Sequence, residues 1–130
     1  MGPPVPGLPY LPTFPSYSFL ITNPQGKKVL FDLGIRKDWQ KYSPLIQERL
    51  KGRGWEVGAE KNVDEILEEN GVDKSSVGGI VWSHWHWDHL GDPSTFPSST
   101  DLIVGPGFKE AFMPGAPKNK ESPILETDYE

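Results

Sequence analysis

Apolar positions along the chain fall into short runs and two helical stripes. The run Tyr17–Thr22 is rich in aromatic and β-branched residues and predicts a strand. Asn23-Pro24-Gln25-Gly26 then fits a type I turn, with Asn at the first position, Pro at the second and Gly at the fourth. Lys28 to Asp32 reads as the return strand, which makes a hairpin. The period next becomes helical. Ser43 is a good N-cap and Pro44 suits the first helical position. Leu45, Ile46 and Leu50 form the apolar stripe, and Lys51-Gly52 ends it. A second helix starts at Asn62, whose capping partner is Glu65 three positions on. Val63, Ile66 and Leu67 make its core face, Asn70-Gly71 stops it, and Asp64, Glu65, Glu68 and Glu69 read as a solvated face. Gly79 to Ser83 is a short apolar run that predicts a buried strand. Asp101 to Val104 predicts another strand, followed by the Gly105-Pro106-Gly107 turn and a short helix carrying Phe108, Ala111 and Phe112.

The two ends differ from this middle. Prolines at 3, 4, 6, 9, 12 and 15 exclude a helix or central strand from residues 1–15. That segment is expected to be an extended arm, packed by Leu8, Tyr10, Leu11 and Phe14 rather than offered as a proline-rich ligand. Residues 113–130, with Pro114, Pro117 and Pro123, read as an irregular tail. The 130 residues carry a net charge of −5, which gives no electrostatic footprint for nucleic acid or an anionic membrane. No apolar run approaches the length of a membrane span, and no basic segment precedes an apolar one at the start. The absence of cysteine excludes disulfides, a zinc–thiolate site and a cysteine nucleophile, and it fits a cytoplasmic protein.

The chemistry is concentrated in one place. The only three histidines of the chain, His84, His86 and His89, fall with Asp88 into an H-x-H-x-D-H cluster behind the Gly79–Ser83 run. Imidazoles and a carboxylate suit a borderline-soft divalent metal, zinc first, with other divalent ions open. In extended backbone His84 and His86 point to one side and can converge on one ion. Asp88 and His89 follow a bend and can face a second, and two ions about 3.5–4 Å apart would clamp a water and polarise a carbonyl or phosphoryl oxygen. Trp82, Trp85 and Trp87 alternate with these positions and are expected to pack away from the metals. Asp92 precedes Pro93 and suits a turn better than a ligand.

Ser83-His84-Trp85-His86-Trp87-Asp88-His89-Leu90-Gly91 resembles the signature of the metallo-β-lactamase superfamily. Ser18–Ile21, Val29–Gly34, and Phe96-Pro97 with Leu102–Val104 resemble the strands around it, so that residues 16–112 fit the pattern. The similarity is nearest to the lactonase-like and fungal hydrolase branch. It implies an α/β (α+β) fold, the N-terminal half of an αββα sandwich, with a mixed sheet covered by helices. It also implies a hydrolase with one or two zinc ions, acting on the ester, lactone, thioester or amide bond of a small-molecule substrate through a metal-bound hydroxide. In that reading His84, His86, Asp88 and His89 are ligands, and Asp88 passes a proton to the leaving group. Asp32 either supports the metal loop, as in the family, or caps its own turn. The family's later ligands include further histidines, and none follows His89. The alternative expectation is therefore a truncated, non-catalytic metal-binding half-domain, whose open sheet face invites a homodimer or another partner.

Overall fold

The computed structural model describes residues 14–51, 53 and 56–130. The expected arm lies almost wholly outside the described residues, as does Trp55. The hairpin forms as strands β1 (Phe19–Thr22) and β2 (Lys28–Phe31), paired antiparallel with Leu20 opposite Leu30. The turn between them closes with the Gly26 amide donating to the Asn23 carbonyl at 2.9 Å, and Gly26 takes φ +83°. Helices α1 (Pro44–Leu50) and α2 (Val63–Glu69) cross over to β3 (Val77–Val81), which lies parallel to β2. The one-turn helix α3 (Trp87–Leu90) then leads to β4 (Asp101–Ile103), parallel to β3, and to α4 (Phe108–Phe112). The result is an α/β arrangement around a mixed four-stranded sheet in the order β1-β2-β3-β4.

The Ser43 hydroxyl accepts from the Ile46 amide as its residue type predicts. At α2 the Glu65 carboxylate accepts from the Asn62 amide at 2.7 Å, while Asn62 Oδ1 accepts from the Lys37 amide instead of from the helix. Ile46 and Leu67 reach the core, where they meet Leu30, Ile80, Trp82 and Leu90. One reading fails. Asp64 belongs not to a solvated face but to the buried side of α2, at 7 % exposure, with Lys74 Nζ 3.5 Å from its carboxylate. The first turn of a seven-residue helix carries this carboxylate inward, a rotation that charge alone does not reveal.

The sheet has two unlike faces because side chains alternate along a strand. Leu20, Leu30, Ile80 and Leu102 stand in register on the face beneath the helices. Phe19, Phe31, Val81 and Ile103 stand in register on the other, and there Phe19 is 56 % and Ile103 45 % exposed. Strand β3 begins two residues earlier than expected and stops at Val81. Buried Val77 pairs with Lys28, whereas Ser83 is captured by a side chain from β2's end. The segment 113–130 returns to the core: Ile124 is 1 % exposed, Ala116 bridges to Leu125, and Glu126–Asp128 forms a 3-10 turn. Among the described residues no helix is long and apolar enough to cross a membrane.

Candidate active site

Parallel pairing of β2 and β3 sets their C-terminal ends side by side, with Phe31 opposite Val81. The residue after each strand thus meets the other's loop. Asp32, 4 % exposed, places Oδ1 2.8 Å from the Ser83 amide. Its Oδ2 accepts from the Ser83 hydroxyl at 2.7 Å and lies 2.8 Å from His89 Nδ1. All three partners belong to the loop after β3, so of its two expected roles Asp32 takes that of supporting the loop. It does so from φ +62°, a left-handed conformation that Asp tolerates better than most residues.

These bonds also fix ring orientation. A carboxylate only accepts, so His89 Nδ1 carries the proton and a neutral ring keeps its lone pair on Nε2. The Ser83 hydroxyl has one proton, which goes to Asp32. It therefore accepts from His84 Nδ1 at 2.8 Å, and the lone pair of His84 also falls on Nε2. Burial, then the neighbouring His89 and His86 rings, hold the His84 imidazole below its ordinary pKa, which favours the neutral form that ligates metals.

The four residues of the cluster come together. The His84 ring centroid lies 4.2 Å from that of His89 and 4.6 Å from that of His86. Asp88 Oδ2 is 3.6 Å from His89 Nε2. The convergence is pairwise: among the described residues no group of three or more His, Cys, Asp or Glu side chains stands at metal-holding geometry. The donor types suit zinc, and two of the three rings are already orientated by hydrogen bonds to Nδ1. The backbone between them is not the extended strand expected for His84 and His86. It is an irregular bend that ends in α3, with His86 as N-cap and Asp88 in the first turn.

The tryptophans pack around this loop. Trp82 is buried and donates Nε1–H to the Leu90 carbonyl at 3.0 Å. Trp85 lies under the Arg49 guanidinium, 4.8 Å from the ring centroid, and 5.9 Å from the Phe112 ring. Trp85 also lines, with Ser83, His84, Phe108 and Phe112, a cavity of about 350 Å³ beside the cluster. Asp92 is a turn residue, as expected: its Oδ1 accepts from the Ser94 amide and its Oδ2 from Arg36 Nη2 at 3.0 Å. Sequence reasoning missed Arg36 and Tyr42, which touch the loop from 56 and 45 positions away and carry no local motif.

Similarity to known proteins agrees with this geometry. A family model described as the metallo-beta-lactamase superfamily matches residues 11–118. The chain is 50% identical over 120 residues to gamma-lactamase FDB1 of Fusarium pseudograminearum, covering 88% of this chain and 29% of that protein. It is 46% identical over 102 residues to gamma-lactamase MBL2 of Gibberella moniliformis, covering 78% and 43% of the two chains. With metallo-hydrolase mfmC of Annulohypoxylon moriforme it shares 39% identity over 132 residues, 98% of this chain and 34% of that one. The chain thus spans less than half the length of these relatives. Matched over most of its residues, and with fungal proteins as its relatives, the chain belongs to the metallo-β-lactamase superfamily.

Proposed function

We propose that this chain carries the ligand loop of a metal-dependent hydrolase. His84 and His86 would hold one divalent ion, zinc first, and Asp88 and His89 a second. The observation that supports this reading is the approach of the His84 ring to the His86 and His89 rings, with the His89 Nδ1–H held by Asp32. Bound there, zinc supplies Lewis acidity toward a carbonyl oxygen and acidifies water. The chain's own contribution is orientation. Asp32 and Ser83 turn the Nε2 lone pairs of His89 and His84 outward, and the partly exposed Asp88 carboxylate can accept a proton and return it to a leaving group. The substrate would be a small ester, lactone, thioester or amide. Two relatives named gamma-lactamases favour the cyclic amide. The lack of cysteine fits a cytoplasmic location.

The test is zinc retained per chain after dialysis against a mild chelator, followed by hydrolysis of a γ-lactam and a γ-lactone. The parent should retain at least one ion, and H84A and H86A should lose it. A parent that retains none overturns the reading.

A second reading, the half-domain that associates, is favoured by the open sheet face of Phe19, Ile21, Phe31 and Ile103. A second copy covering that face would give a symmetric dimer. Monomer mass at low micromolar concentration would refute it.

A further inference from the structure

The α3 turn is held from outside. In a four-residue helix almost every carbonyl lacks an intrahelical donor. The His86 carbonyl accepts from the His89 amide at 3.0 Å. The Asp88 carbonyl takes the Ser16 hydroxyl, the His89 carbonyl takes the Leu33 amide at 3.0 Å, and the Leu90 carbonyl takes Trp82 Nε1–H. The Gly91 amide, which would reach back to Trp87 in a longer helix, donates to Gly34 at 2.9 Å instead. The Trp87 carbonyl, between His86 and Asp88, accepts from the Tyr42 hydroxyl at 2.6 Å.

Tyr42 is well fitted to that task. It is 6 % exposed, and burial raises its phenol pKa, so it stays a donor at any working pH. The Arg36 amide donates to the same hydroxyl oxygen at 3.0 Å, which fixes the direction of the phenol proton toward Trp87. The Arg36 guanidinium lies 5.7 Å from the Tyr42 ring centroid and also grips Asp92, just past the other end of α3.

We infer that Tyr42 and Arg36 are positioning residues of the ligand loop: they fix both ends of α3 and so set where His86 and Asp88 point. The value of this for metal binding rests on the function proposed above; the brace itself does not. Tyr42→Phe deletes only the hydroxyl, and two measurements on the full chain read its effect. Hydrogen exchange at the His89 and Gly91 amides should quicken by about tenfold or more, while exchange in β3 changes little. Zinc affinity, by competition with a chromophoric chelator, should weaken by about tenfold, the loss usual for groups that orient ligands. Ile46→Val, a core change elsewhere in the fold, controls for lost stability. Exchange at His89 and Gly91 that matches the parent, or that quickens equally in Ile46→Val, overturns the brace. A parent that binds no zinc overturns the metal reading instead, and exchange alone then decides the brace.

Discussion

Asp32→Ala removes one side chain from the place where two strand ends meet. Its buried carboxylate accepts three hydrogen bonds, from the Ser83 amide, the Ser83 hydroxyl and His89 Nδ1. A hydrogen bond to a charged group contributes roughly 1.5–3 kcal/mol. Three bonds to one carboxylate share their neighbours and do not add, so about 3 kcal/mol is a fair sum. Alanine must also sit at φ +62° without a polar side chain, which costs about 1 kcal/mol more. The expected loss is therefore about 4 kcal/mol, a large part of the roughly 5–15 kcal/mol that stabilises a small domain. Asp32→Asn separates the two contributions. Its carbonyl can still accept from the Ser83 amide, and Asn tolerates left-handed backbone, so a loss of about 2 kcal/mol is expected. The new amide would donate to His89 Nδ1 and move the ring proton to Nε2. Asp32→Asn should thus fold yet bind zinc poorly. Urea unfolding at neutral pH, followed by tryptophan fluorescence, gives both stabilities. A loss below about 1 kcal/mol for Asp32→Ala would refute the idea that this carboxylate fastens the loop.

Asp128, 8 % exposed, is pushed from 3.8 up to about 7, first by burial and also by Asp92, against the pull of the Leu125 amide and Arg36. The folded state therefore keeps a proton that the unfolded state releases, and stability falls as pH rises between about 4 and 7. Asp128→Asn keeps an acceptor for the Leu125 amide and should flatten that slope, gaining up to about 4 kcal/mol at pH 8 in urea unfolding; parallel pH profiles for the two proteins would contradict this. If two copies pair through the open sheet face, Phe31→Lys, at a site 37 % exposed, should halve the mass seen by light scattering while leaving the fold intact. Unchanged dimer mass would move the interface elsewhere.

Local rules were enough for much of this molecule. The Asn23–Gly26 turn, the Ser43 cap, the Asn62–Glu65 pairing, the stripe of α1 and the clustering of all three histidines are legible because each depends on residues within four or five positions. Family membership was legible for the same reason, since the signature is contiguous. What the chain's order alone could not decide was long-range. The choice between two roles for Asp32 required the parallel pairing of β2 with β3, which sets it beside Ser83 and His89, 51 and 57 positions on. The inward turn of Asp64 depended on where α2 meets the sheet. The bend that replaces extended backbone at His84 and His86 follows directly on Ser83, which Asp32 holds from the end of β2. Tyr42 and Arg36 joined the loop only because the segment between β2 and α1 lies against α3 and the turn after it. Periodicity describes a residue's near neighbours, whereas a site built from several elements is set by packing, which brings distant donors to carbonyls that a one-turn helix cannot satisfy itself.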